Sequence, residues 1–277
     1  MMSSLIDALS SPSGTQSLVR GIDVLKLIAA NNSRGLRLVD LVKETSTERP
    51  TMHRAVQALV ASGLIKRTGV GKRYVLGDYC YELAVALPVR SDLRGICLPA
   101  LDKISKITGN SAFLVMRLGN DSLCIARTIG SYPIQVLSVR VGNRIPLGIG
   151  AGGLAILAEL PEEERREIYK VNAHRISSFG GMNTTILKGL AAATRDRGYS
   201  VVGHYSVPGV FGIGVVLKNA QLQAVGSITS ASIDSRMTKS IQAQTAQLMH
   251  EAISDIQLGL DNVPPYLGTP DKSLWSG

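Results

Sequence analysis

Cysteine is scarce and poorly placed for a structural role: the 277-residue chain has three, Cys80, Cys97 and Cys124. An odd number at spacings of 17 and 27 fits neither a disulfide framework nor the close pairs of a zinc site, so free, buried or half-buried thiols are expected. The start, Met1 to Asp7, has no basic stretch followed by an apolar one, so no secretory signal is visible and the cytoplasm is the expected compartment. A long apolar run is also missing. Gly198 to Leu217 carries no Asp, Glu, Lys or Arg, but its five glycines, Pro208 and His204 suit strands and turns rather than a membrane span. The four histidines, His53, His174, His204 and His250, fall in no metal or nucleophile motif, and no metal or cofactor is expected. No internal repeat is visible.

Acidic residues are outnumbered, 21 against 30 Lys and Arg, for a net charge of +9. The excess is uneven. Residues 1–77 hold eleven Lys and Arg against five Asp and Glu, or +6, whereas residues 78–277 hold nineteen against sixteen, or +3. That asymmetry points to a polyanion docking near the N-terminus, with an ordinary solvated surface as the plainer alternative. Hydrophobic residues make up 45%, enough for packed cores, and the length suits one large domain or two ordinary ones.

Along the chain, 1–15 reads as a loose Ser-rich tail. Ser17 looks like an N-cap for a first helix to about Ala30, a short second helix covers Leu38 to Glu44, and a third runs from about Pro50 to Ser62. Gly63 closes the third helix, and two strand-like runs, 64–67 and 73–76, flank a glycine-bearing turn. Three helices, a tight turn between the second and third, then a basic hairpin make the order of a winged helix-turn-helix domain over 16–77. At 100° per residue, Met52, Ala55, Val56 and Leu59 face inward. Arg49, Pro50, Thr51, His53, Arg54 and Gln57 remain for double-stranded DNA, with Arg54 pointing most directly outward. In the hairpin, Lys66, Arg67, Lys72 and Arg73 are candidate phosphate or minor-groove contacts, or else charges that guard an edge hairpin against aggregation.

A linker helix is expected over 78–90, then a domain over 91–258 that starts with a helix from Ser91 to Thr108. The apolar period shifts toward two in Ser111 to Leu118, Ser122 to Ile129 and Ile134 to Val139, which read as antiparallel strands. Helices follow near 152–160, 162–171 and 187–197, strands near 199–202, 210–217 and 222–230, and a closing helix from Thr238 to Leu258. The class is therefore α+β with an antiparallel sheet. Residues 259–277, with three prolines, read as a second loose tail. Gly148-Ile149-Gly150-Ala151-Gly152 leads into a helix whose free N–H groups favour a carboxylate, which marks Gly150, Ala151 and Gly152, unless these glycines serve only turn geometry or packing.

Many segments in one order carry a resemblance: Ser17–Gly21, Thr51–Leu59, Gly63–Ile65, Tyr74–Gly77, Val141–Leu147, Gly150–Gly152, Leu157–Pro161, Arg197–Tyr199, Val207–Gly209 and Ser235–Thr238. Over about Thr15 to Leu258 the chain resembles IclR-type transcriptional regulators. The resemblance implies a GAF-like effector domain behind the winged helix-turn-helix, and DNA binding as a homodimer or dimer of dimers, on half-sites about one helical turn apart. It further implies control of catabolic genes, most simply by repression, through a small organic or aromatic acid. Val202, Gly212, Thr229 and Ala231 align with effector contacts of the family. Only Thr229 among these four offers a side-chain hydrogen bond, which disfavours small polar acids and favours a bulkier one, such as an aromatic acid. Two departures stand out: His204-Tyr205, where acids are frequent in the family, and Gly153-Leu154, where a lysine often follows the glycine. The alternative from another class is an enzyme domain acting on a small organic acid, fused to a DNA-binding module; a third is a constitutive architectural DNA binder.

Overall fold

The computed structural model of the protein describes residues 15–32, 34–69, 71–86, 92–136, 139–205 and 207–265. Residues 1–14 and 266–277, expected as loose tails, and 87–91, expected as the linker's end and a helix start, lie outside the described residues. The chain divides into two units, 1–89 and 90–277.

In the first unit, helical spacing of apolar residues builds α1 (Gln16–Ala30), α2 (Leu38–Thr45) and α3 (Arg49–Ala61). Their shared face buries Val24, Ile28, Leu41, Met52, Val56 and Leu59. Helix α1 begins one residue before the expected cap, with Ser17 inside its first turn. Helix α3 likewise begins at Arg49, and Pro50 occupies its first turn, where the missing N–H costs no intrahelical bond. Ser46, in a left-handed conformation at φ 49°, turns the chain between α2 and α3. Strands β1 (Ile65–Arg67) and β2 (Tyr74–Leu76) pair antiparallel, and Ile65 and Tyr74 complete the core. Helix α4 (Tyr79–Ala86) follows and buries none of its residues.

In the second unit, α5 (Leu93–Thr108) is capped by Asp92, whose carboxylate accepts the Gly95 N–H at 2.9 Å. The sheet contains β3 (Ser111–Leu118), β4 (Asp121–Thr128), β5 (Arg144–Pro146), β6 (Ser200–Gly203), β7 (Val210–Lys218) and β8 (Ala224–Ile233) in the order β5-β4-β3-β8-β7-β6. All neighbours are antiparallel. Residues opposite one another in such ladders share a face. Ala112, Leu114, Ile213, Val215 and Ile228 therefore pack with α5 and α9 (Lys239–Ser254). The other face carries α6 (Ala151–Glu159), and α7 (Glu162–Ile176) and α8 (Thr184–Arg197) join α6 in a second apolar cluster. No described helix is long and apolar enough to cross a membrane.

Three expectations are corrected. Residues 134–136 and 139 form no strand: the Gln135 amide donates to Gly109 O (2.9 Å) and accepts from Ser111 Oγ (2.7 Å), so side-chain ties replace ladder pairing. The edge beside β4 is taken instead by Arg144–Pro146. The closing helix breaks after Ser254, and a short α10 (Gln257–Leu260) follows. Residues 259–265 are not loose: Leu260 and Val263 are buried in the core, and Val263 O accepts the Asn219 amide at 3.1 Å.

Burial pushes the Cys97 thiol up to about 12, helped by nearby Asp92, and that of Cys124 up to about 11. Both stay protonated and unreactive in the fold. Alkylation at about pH 8 is expected to modify half-buried Cys80 first and to reach Cys97 and Cys124 only on unfolding. Because both thiols are raised from an ordinary 9.0, the stability they allow is held below that pH and lost as pH rises toward their folded values. Mass spectrometry of the native and urea-treated protein checks the order of labelling.

Candidate nucleic-acid interface and ligand cavity

Helix α3 buries Met52, Val56 and Leu59 and turns the opposite stripe outward. Arg49, Pro50, His53, Arg54 and Gln57 are exposed and Thr51 is half-buried. Among the described residues no ion pair ties Arg49 or Arg54, so both guanidinium groups are free to meet phosphates or base edges. Helix α2 braces α3, and its own start is fixed by Arg37 and Asp40: the carboxylate accepts the Arg37 N–H at 2.9 Å and its side chain at 3.1 Å. Hydrogen bonds from Arg37 hold the Asp40 carboxyl below its usual range.

The hairpin cations differ in their freedom. Arg67 and Lys72 are exposed, and Lys72 sits in a left-handed turn at φ 51° that projects it from the tip. Lys66 pairs with exposed Asp78 at 2.6 Å, a contact that solvent weakens. Arg73 is already engaged, donating to Gly35 O at 3.0 Å, which anchors the hairpin to the turn after α1.

In the second unit, the sheet register assembles a cavity. Phe113 on β3 lies opposite Thr229 on β8, and Ala231 on β8 opposite Gly212 on β7, which in turn faces Val202 on β6. The start of α6 lies over this face. Gly152 makes that approach possible, because a Cβ there would stand 2.6 Å from Thr229 Oγ1. Gly214 does the same from the sheet, 2.6 Å from Ala151 O. Ser200 and Ser227 then fasten the helix by donating to Ala151 O at 2.6 Å and Gly152 O at 2.9 Å. Since these carbonyls belong to the first turn, the helix N-terminus is held against the sheet with no side chain capping it.

The resulting cavity measures about 80 Å³, several times the ~10–15 Å³ that one water needs. All seven residues singled out, Gly150, Ala151, Gly152, Val202, Gly212, Thr229 and Ala231, line it. Residues not anticipated include Phe113, Ser122, Val136, Val139, Ile145 and Val210. Phe113 was within reach of sequence reasoning, since it shares a face with Thr229 once β3 and β8 pair. Val136 and Val139 were not, because residues 134–139 read as a strand and only tertiary contacts turn 134–136 and 139 into a loop. The walls are mostly apolar. Ser122 Oγ donates weakly to Ile145 O at 3.3 Å, whereas Thr229 Oγ1 is buried with no hydrogen-bond partner among the described residues. A buried hydroxyl left unpaired costs about 1–3 kcal/mol. His204 does not line this cavity. Its Nδ1 accepts the Gly209 N–H at 3.2 Å and its ring meets Phe211 edge-on at 4.9 Å, so it braces its own turn.

A family model described as "Bacterial transcriptional regulator IclR C-terminal" matches residues 86–258, and one described as "IclR helix-turn-helix domain" matches residues 17–69. The chain belongs to the IclR family. IclR-family proteins are DNA-binding transcriptional regulators, not enzymes, which sets aside a DNA-tethered enzyme. The chain is similar to the HTH-type transcriptional regulator KipR of Bacillus subtilis, at 27% identity over 81% of this chain and 88% of that protein. It is also similar to the transcriptional repressor IclR of Escherichia coli, at 21% identity over 88% and 89%. Among solved structures, an IclR homolog from Microbacterium hydrocarbonoxydans complexed with 4-hydroxybenzoate shares the fold, with TM-score 0.69, 23% identity and coverage of 88% and 98%.

Proposed function

We propose that this IclR-family regulator is a repressor of catabolic genes whose hold on its operator changes when a small aromatic or similarly bulky organic acid enters the β3–β8–α6 cavity. The observation that carries the reading is Thr229 Oγ1, a buried hydroxyl with no hydrogen-bond partner among the described residues, inside a mostly apolar chamber. Such a group suits a ligand that brings one polar atom to it and an apolar body to Phe113, Val136 and Val202. A carboxylate fits the uncapped start of α6 at Gly150–Gly152. The homolog complexed with 4-hydroxybenzoate supports this ligand class, and the repressors among the relatives support the sign of regulation.

In this reading Arg49, Pro50, Thr51, His53, Arg54 and Gln57 meet the major groove, while Lys66, Arg67 and Lys72 hold phosphates, with Arg73 supporting the hairpin. Binding is as a homodimer or a dimer of dimers. Helix α4 supports this: Tyr81, Leu83 and Val85 are 75%, 46% and 64% exposed on a helix of eight residues. A helix that short needs tertiary packing to persist, and a second copy supplies it. Ligand switches DNA affinity only by binding one quaternary arrangement better than another.

The test is a thermal-shift screen of aromatic and aliphatic acids against the full chain. An effector at 100 times its Kd is expected to stabilise the fold by about 2.7 kcal/mol. Aromatic acids are expected to give the largest shifts. No stabilisation by any acid at millimolar concentration contradicts the sensing role.

A further inference from the structure

We propose that the groove between α7 and α8 is a second ligand site, for a small multivalent anion bearing phosphate or several carboxylates. On α7, Arg166, Tyr169, Lys170 and Ala173 fall at i, i+3, i+4 and i+7 and so form one stripe; on α8, Thr184 and Lys188 stand one turn apart. Together they wall a groove of about 430 Å³ that shares no residue with the Thr229 cavity.

Every charged residue lining the groove is a cation. Tyr169, only 7% exposed, also lines it, and its hydroxyl has no hydrogen-bond partner among the described residues. Lys188 Nζ stands over the Tyr169 ring, 5.6 Å from its centroid. Burial raises the Tyr169 phenol above its ordinary value, so near neutral pH it is a donor. A guanidinium, two ammonium groups and a phenol thus offer donors almost exclusively, with the Thr184 hydroxyl able to serve either way. A complementary ligand is rich in acceptors and negatively charged.

The acids nearby do not fill this role. Glu162 pairs with Arg166 at 2.5 Å and Glu167 with Lys170 at 3.6 Å, but neither lines the groove, and all four side chains are more than 60% exposed. Exposed pairs of this kind are weak and yield readily to a multivalent anion. Thr184 opens the 14-residue α8, where Asn183 accepts only the Ile186 N–H at 2.9 Å, so the positive end of the helix dipole adds to the field. A patch confined to two helices suits a small molecule rather than the extended track of a nucleic-acid backbone.

Isothermal titration of the full-length protein at low ionic strength tests the site, with inorganic pyrophosphate, citrate and acetate as separate probes. Pyrophosphate or citrate is expected to bind saturably, one per chain, and acetate at least about tenfold more weakly; whichever of the two binds more tightly assigns phosphate or polycarboxylate chemistry. Lys188→Ala and Lys170→Ala are each expected to lose about tenfold in affinity. Tyr169→Phe is expected to weaken binding severalfold while keeping the wild-type Tm, which separates a donor at the site from a structural tyrosine. Thr229→Val is expected to bind the probe like wild type, so failure here and failure of acid sensing are distinguishable. Wild-type affinity in both Lys188→Ala and Tyr169→Phe, or no saturable binding at millimolar probe, overturns the proposal.

Discussion

Arg54→Ala is expected to cost about 1–3 kcal/mol of operator binding, roughly a 5- to 150-fold loss, and to relax base preference at the position it reads. The expectation rests on geometry. Arg54 stands on the exposed stripe of α3, opposite buried Met52, Val56 and Leu59, with no ion pair among the described residues to hold it back. Lys72 serves as the contrast, because its charge sits at the hairpin tip where phosphate is the natural partner. Lys72→Ala is expected to weaken specific and random DNA alike and to reduce the salt slope by about one counterion. Fluorescence anisotropy against operator and scrambled duplexes across a salt series reads both effects. Equal loss on both duplexes for Arg54→Ala argues that it too touches only the backbone.

Thr229→Val is expected to move stability and ligand affinity in opposite directions. Valine keeps the shape of threonine and removes the hydroxyl that is buried without a partner among the described residues. The ligand-free protein is therefore expected to gain about 1 kcal/mol, or ~2–4 °C in Tm for a domain of this size. Acid affinity is expected to fall about tenfold, the worth of one hydrogen bond in a dry site. Ser230→Ala provides the control. Its hydroxyl is also buried with no partner among the described residues, but it lies on the other face of β8, opposite Ala112 and Ile213 in the α5–α9 core. That substitution is expected to stabilise similarly and to leave acid affinity unchanged. A Thr229→Val protein that binds acids as wild type does shows that the hydroxyl makes no ligand contact.

The DNA-reading helix was legible because a 3.6-residue period states directly which side chains are inside, and α3 obeys it from Met52 to Leu59. The cavity was legible in part. Gly150–Gly152 stood out as a helix start rich in small residues, while Val202, Gly212, Thr229 and Ala231 came from family likeness rather than from pattern. What escaped depends on tertiary contacts. Residues 134–139 read as a strand, yet Gln135 binds Gly109 and Ser111, and Val136 and Val139 line the cavity. The prolines after Gly259 suggested a loose end, yet Leu260 and Val263 find places in the core. Tyr169 gave no signal at all, since its meaning depends on α8 bringing Lys188 across it.

The proposed regulation requires that a ligand in the second unit control DNA affinity. The most direct measurement is the Kd of the full-length protein for its operator duplex, with and without a saturating acid found in the thermal-shift screen. Wild type is expected to shift at least about fivefold, a coupling of ~1 kcal/mol, and Thr229→Val to need about tenfold more acid for the same shift. An operator Kd that is identical with and without bound acid contradicts the account.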